Sequence, residues 1–497
     1  MKRTKGHTVL RVLGFLVLLV LTLMGLTRLL VRKESMERFQ PYLDTAEEYD
    51  VIFMGNSHIV NDIFPFDLWR NYGITAYNLG GNGNTVPVSY WSMKLAFDYA
   101  KPKLVIMDVN DIDMLDKVSG HTSNVHTTFD VYPISMTKIH AVQDLMDLPF
   151  VEDFDGNVIM DMRWEYLFTL GKYHSRWSEL GGADFSPDFS KTKGAHVAID
   201  VVKPVDYDIT DNMMEEAGYG FVYLRHIISE CQSQGIDILL VNLPYPANTE
   251  QQEAANMVQS IAQEYGVNYI NFVSLDQMVD YQVDLFDGNS HLNPSGARKI
   301  TDYLGDYIRR HYNIPDHRGE EKFAKWHDEY DAYLEFKNDY LTMQPGLYNS
   351  LMLLHDEDYS VVCLIRGAAE LYGDETAMTL LQNIGREHIF EADAYNKWAD
   401  GIFPLEELDW AAEDHVPYLY VLDRQKTAKL ECRGKSDFEY DFSFGHLSYS
   451  ATDEAGTLSV KSSDGTEWSA DAGENSPDLQ FLVFNAKTGA FICRREF

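Results

Sequence analysis

Residues 50–58 read DVIFMGNSH. Val51, Ile52, Phe53 and Met54 form an uninterrupted apolar run, too short for a helix and of the kind that fills a strand buried on both faces. Gly55 ends the run and polar Asn56, Ser57 and His58 follow, so the stretch predicts a strand, a tight turn and then a helix. The same apolar run returns at 75–79, at 103–109 (KLVIMDV), at 236–242 (IDILLVN) and at 267–272. Helical patterns at 250–265 and 294–310, the second with Pro294 in its first turn, lie between and after the later runs. Strands alternating with helices predict an α/β fold, a doubly wound parallel sheet of five strands.

Outside that core the pattern changes. Residues 112–220 are rich in His, Tyr, Trp and Asp with weak periodicity, and read as a helical or irregular insertion. A charged, aromatic stretch at 315–345 reads as an exposed linking helix, and 346–497 as a β-rich accessory domain. Within the latter, 359–365 is strand-like, 375–384 helix-like, and 418–430 and 479–493 are two hairpin-like pieces. At the other end, Lys2, Arg3, Lys5 and Arg11 precede sixteen uncharged residues, 12–27, followed by Arg28, Arg32 and Lys33. With snorkelling arginines, a segment from about residue 9 to 31 can cross a hydrocarbon core of about 30 Å. No small-x-small cleavage site follows, so residues 1–35 are expected to be a cytoplasmic tail and transmembrane signal anchor. The acid-rich remainder, with the α/β domain at 36–314, is expected outside the plasma membrane.

The 497 residues carry 41 Lys+Arg against 77 Asp+Glu, a formal charge of -36, which repels phosphate backbones and argues against nucleic-acid partners. A hydrophobic content of 45% is enough to fill real cores, so the acidity belongs to folded surfaces. Cys231, Cys363, Cys432 and Cys493 are too scattered for a zinc cluster or a disulfide scaffold and allow at most one bridge. His121, His126, His140 and His174 lack the spacing of metal ligands, and nothing implies a cofactor.

Four segments fall just after predicted strands, where open α/β sheets place their sites. Gly55-Asn56-Ser57-His58 puts a serine at a strand-to-helix turn, where it is either a reactive hydroxyl or simply a helix cap. Asn78-Leu79-Gly80-Gly81-Asn82-Gly83 can turn a backbone amide toward a substrate oxygen. Asn110-Asp111 offers a side-chain N–H of the kind an oxyanion hole needs. Asp287-Gly288-Asn289-Ser290-His291 brings an imidazole to the loop before the last helix. In that order, the four segments resemble the SGNH (GDSL-like) hydrolases, serine esterases and acyltransferases on a flavodoxin-like sheet. The resemblance covers about residues 50–311 and implies Ser57 as nucleophile and His291 as general base. It also implies the Ser57 and Gly83 amides and the Asn110 side chain as oxyanion donors. The family's acid stands three residues before its histidine, where this chain has Gly288; either the loop bulges so that Asp287, four before, orients His291, which is the favoured reading, or a backbone carbonyl orients it, or the site is weakened. In the favoured reading, Ser57 Oγ must lie within about 3 to 4 Å of His291 Nε2, with a carboxylate at Nδ1.

Tyr173-His174-Ser175-Arg176-Trp177, Leu243-Pro244-Tyr245-Pro246 and HLNPSGARKI at 291–300 further resemble membrane-anchored SGNH proteins of Gram-positive bacteria. That likeness implies acyl (acetyl or alanyl) esters of cell-envelope polysaccharide, or a small acyl ester, as substrate. His58, Asn82, Arg176 and Trp177 are the expected substrate-binding residues, the last two being alternatively a buried Trp with an Arg partner. The C-terminal part faintly resembles the interleukin-like ILEI/PANDER β-sandwich, a module linked to carbohydrate recognition. A non-catalytic glycan-binding or assembly protein that retains the fold is the alternative reading, prompted by the displaced acid.

Overall fold

Five parallel strands run in the order β2-β1-β3-β4-β5: β1 Val51–Met54, β2 Ala76–Asn78, β3 Leu104–Asp108, β4 Asp237–Asn242 and β5 Asn268–Asn271. In this computed structural model the described residues are 2–110, 112, 122–148, 163–187, 189–275, 278–344, 346–365, 373–386, 388–389, 397–398, 418–423, 428–433, 438–444, 447–454, 457–470 and 479–497. Alternation along the strands sorts their side chains into two layers. Ile52, Met54, Val105, Met107, Ile238 and Leu240 face one core with helix α5 (Val86–Phe97) and the helices Tyr219–Gln234 and Thr249–Tyr265. Val51, Phe53, Leu104, Ile106, Leu239 and Val241 face the other, with helices α3 (Ser57–Asp62) and α4 (Pro65–Tyr72) and the helix Pro294–His311. Both faces are covered, which is why β1 could be apolar at every position. Strand order reverses around β1, and the crevice beyond its carboxyl end is where such sheets bind ligands.

Lys2–Leu30 forms helix α1, of which residues 7–30 are long and apolar enough to cross a membrane; at 1.5 Å per residue they span about 36 Å. It is a candidate membrane anchor or signal sequence, and side chains such as Leu10, Phe15 and Leu18 lie exposed along it. Its carbonyl end is held by cations: Lys33 Nζ donates to the carbonyls of Arg28, Leu29 and Val31, and Arg176 to those of Leu30 and Val31. Helix α2 (Lys33–Thr45) follows directly. The described part of the insertion is helical in short pieces, including α6 (Thr122–Phe129), and then runs without regular structure to Gly218.

The helix expected to be an exposed link spans Ala324–Met343 and is not exposed on one side. Trp326, Tyr330, Tyr333, Leu334, Lys337 and Leu341 are buried, the aromatic ones against the α/β core. Beyond it lies a separate antiparallel β-rich region. The strand Tyr359–Ile365 pairs with both hairpins, Tyr418–Asp423 with Ala428–Arg433 and Leu479–Asn485 with Phe491–Glu496. One face of that sheet packs on the helices Leu347–Leu353 and Glu375–Asn383, and the other, through Leu364, Leu419 and Phe484, meets Phe444, Val460 and Trp468 of a four-stranded sheet. Cys231, Cys363 and Cys493 are buried free thiols.

A buried ion network joins the two regions. Asp356 Oδ2 lies 2.7 Å from Arg298 and 2.8 Å from Lys337, and Asp356 Oδ1 3.3 Å from Arg70. Next to it His355 shares a 2.7 Å hydrogen bond with the Ser295 hydroxyl and donates from Nε2 to the Leu380 carbonyl. Burial pushes the His355 pKa down to about 3, so the folded protein keeps this imidazole neutral. The unfolded chain protonates it below its ordinary value of 6.5, so stability is expected to fall as pH drops through 6.5, by about 2 kcal/mol at pH 5 from this group. Urea unfolding of the full chain should show that loss in the parent and its absence in His355→Gln; equal slopes would refute it.

Candidate active site

Ser57 is not the cap of its helix. Asn56 is, its Oδ1 accepting the His58 N–H at 2.9 Å, and Ser57 becomes the first helical residue with its hydroxyl free of capping duty. The Ser57 amide then lies at a helix start, where no carbonyl of the preceding turn can accept it. Ser57 Oγ is 2.7 Å from His291 Nε2.

His291 stands on a loop held from both sides. Asn293 caps the helix Pro294–His311 with Oδ1 and donates from Nδ2 to the Val283 carbonyl, while Phe286 N–H donates to the His291 carbonyl. The displaced acid reaches its histidine: Asp287 Oδ2 is 2.6 Å from His291 Nδ1. Its other oxygen, Oδ1, accepts the N–H groups of Asn289, Ser290 and His291 at 3.2, 2.9 and 3.0 Å, so the carboxylate organises the bulge that carries the extra residue. Gly288 makes the turn with φ of +78°, and a side chain there would strike the Lys203 carbonyl. Burial works against the Asp287 charge, but the His291 side chain and the surrounding N–H donors outweigh it and hold the carboxyl well below its usual range. An ionised Asp287 fixes His291 with its proton on Nδ1 and leaves Nε2 able to take the proton of Ser57.

The glycine loop closes on this turn. Gly81 N–H donates to the Gly55 carbonyl, and a Cβ on Gly80 would meet the Asn56 carbonyl, so the loop lies flat against the residues preceding Ser57. Gly83 takes a left-handed φ of +62° beside exposed Asn82, and Asn84, which accepts from Thr128 of α6, anchors the far end. Asn56 also donates from Nδ2 to Asn110 Oδ1 at 3.0 Å, which turns the Asn110 amide so that its Nδ2 is buried without a hydrogen-bond partner. An unsatisfied buried donor is destabilising in the resting protein and suits an oxyanion that arrives only during reaction. Asn110→Ala is expected to lower kcat by about 10²- to 10³-fold with little change in KM. Steady-state kinetics decide it, and a KM effect alone would remove Asn110 from the oxyanion site. Asp111 lies outside the described residues.

Not all the expected substrate residues gather here. His58 is only 2% exposed and lies beneath His291, with Nδ1 3.1 Å from Asp62 and Nε2 3.2 Å from the Ser290 hydroxyl. Its ring packs edge-on to Tyr245 of the Leu243–Pro246 segment and 5.2 Å from the His291 ring. Asp62 Oδ1 in turn accepts the Leu292 N–H. Residues 57, 58 and 62 of α3 thus grip 291, 290 and 292 respectively, a latch the sequence carries as His-x-x-x-Asp spacing and adjacent Ser-His pairs. Burial pushes the Asp62 carboxyl well above its usual range, the opposite of Asp287. Arg176 is engaged at the end of α1 and with Asp184, and Trp177 is 73% exposed, so they do not form the buried Trp–Arg pair that was one alternative. Asn61 and His196, which had no sequence signal, complete the surroundings: Asn61 Nδ2 donates to the Ser57 carbonyl and Asn61 Oδ1 meets His196 Nδ1.

No family model matches the chain, and no curated protein matches it. Among solved structures, a Bacteroides fragilis protein provisionally described as an acylhydrolase is similar over 98% of its own length and 56% of this chain, at 12% sequence identity and a TM-score of 0.28. A likeness that loose leaves the chemistry to the site itself.

Proposed function

We propose that the chain is an SGNH-type serine ester hydrolase or O-acyltransferase of the cell surface, acting on acetyl or alanyl esters of cell-envelope polysaccharide. The observation that carries this reading is the continuous line Ser57 Oγ, His291 Nε2, His291 Nδ1, Asp287 Oδ2, with contacts of 2.7 and 2.6 Å. In it His291 takes the Ser57 proton while Oγ bonds to the ester carbonyl carbon. The carbonyl oxygen becomes an oxyanion held by the Ser57 and Gly83 amides and Asn110 Nδ2. Collapse expels the alcohol, whose oxygen receives the proton from His291, and leaves an acyl-Ser57 ester. Water or a sugar hydroxyl, deprotonated by His291, then removes the acyl group. Helix α1 would hold residues 36–314 and the β-rich region 346–497 outside the plasma membrane, the latter near its glycan. The rival reading of a non-catalytic glycan-binding protein draws its support from the displaced acid, and the Asp287–His291 contact takes that support away.

The test is hydrolysis of 4-nitrophenyl acetate by the full chain together with labelling by a fluorophosphonate. Turnover and a covalent adduct on Ser57 are expected. A parent protein as inert as Ser57→Ala, with Ser57 unlabelled, would sink the enzymatic reading.

A further inference from the structure

Arg38 of α2 is a half-buried cation without a carboxylate. Its Nη2 donates to the carbonyl of Gly80, Nε is buried with no hydrogen-bond partner, and among the described residues no acid pairs with it. The Phe39 ring, 5.1 Å from the guanidinium carbon, and the Tyr77 phenol are its neighbours. The other enclosed guanidiniums are treated differently: Arg70 meets Asp356 and Asp358, and Arg298 meets Asp67 and Asp356. In a chain with 77 acids to 41 bases, a half-buried guanidinium with no acid beside it stands apart from Arg70 and Arg298. Leaving it so is destabilising unless something else supplies the charge.

Its position gives the anion a place. Gly80 lies against Asn56, the residue before Ser57. On the other side stands His196, more than a third exposed and joined through Asn61 to the Ser57 carbonyl. The His196 pKa is held down by burial and then by the positive charges of Arg38 and His291. Burial lowers the Arg38 pKa only to about 10, so the guanidinium stays charged at neutral pH.

We propose that Arg38 binds an anionic group, a phosphate or a carboxylate, on the ester substrate. The inference rests on the ester-hydrolase reading and names its substrate class: an ester on an acidic polyol or sugar, or one whose acyl part bears an acid. Long-range attraction cannot select such a molecule, because the surface as a whole repels it. A cation bonded to the loop that lies against Asn56 acts at contact range, through charge-assisted hydrogen bonds from its guanidinium.

Two substrate pairs test it on the full chain: 4-nitrophenyl acetate against mono-4-nitrophenyl glutarate, and acetylglycerol against acetylglycerol 3-phosphate. At least one anionic member is expected to show a kcat/KM about tenfold or more above its neutral partner. In Arg38→Gln that ratio should fall towards one, mainly through KM, and Arg38→Lys should keep part of it. No preference in the parent, or a preference that survives in Arg38→Gln, overturns the proposal. So does an equal loss on all four esters, which would make Arg38 only a prop for the Gly80 loop. If Arg38→Gln does not fold, the ratio in Arg38→Lys and its weakening with salt in the parent decide the matter. Failure of the parent on every ester, with Ser57 unlabelled, is the distinct result that removes the ester reading and this inference together.

Discussion

Ser57→Ala is expected to lower kcat for ester hydrolysis by about 10³- to 10⁶-fold and to abolish fluorophosphonate labelling, with the fold intact. The hydroxyl is the group on α3 that meets the general base, and its loss removes the hydrogen bond to His291 Nε2. Activity should not vanish wholly, since the Asn110 amide and the backbone donors would still stabilise an oxyanion formed by direct attack of water. Comparing kcat, KM and adduct formation in parent and variant settles the point. A variant within about tenfold of the parent would mean that another hydroxyl does the work, and Ser290, the partner of His58, would be the first to examine.

Asp287→Asn is the second large effect, about 10²- to 10⁴-fold in kcat. Its Oδ1 could still accept the amides of Asn289, Ser290 and His291, so the bulge should persist. Its Nδ2, however, would donate where Oδ2 now accepts, and would force His291 Nδ1 to act as acceptor. The imidazole proton would then move to Nε2, the atom that must receive the proton of Ser57. Because the two residues act through one imidazole, the double variant Ser57→Ala/Asp287→Asn should be no slower than Ser57→Ala alone. Additive losses in that cycle would show that Asp287 acts elsewhere.

What could be read in advance follows the physics of each segment. The sheet was legible because central strands covered on both faces, such as β1, are apolar throughout; Gly55 and Gly80 mark where the first two runs stop, and Pro294 marks where the last helix begins. The Asp287–His291 pairing was legible only as a need for a bulge; that three consecutive amides would converge on one carboxylate depends on a backbone turn at Gly288 that letters do not show. Asn56 and Ser57 are both good caps; the asparagine takes the role, its Oδ1 accepting from His58 while its Nδ2 is held by Asn110. The helix Ala324–Met343 misled because its charges hide a stripe of Trp326, Tyr330 and Tyr333 at spacings of four and three. Arg38 gave no signal at all, since what distinguishes it is the absence of acids that lie far apart in the chain.

The ion network beside His355 has a practical side. Arg298 and Ser295 belong to the same helix as the cap at Asn293, two residues from His291, and their partners Asp356 and His355 lie some sixty positions further on. A truncated expression product ending near residue 314 would therefore carry a helix whose guanidinium keeps Asp67 but loses Asp356, and whose Ser295 hydroxyl keeps Asp284 but loses His355, close to the loop that aims the imidazole. The C-terminal region is less a detachable passenger than part of the mounting on which the histidine is aligned.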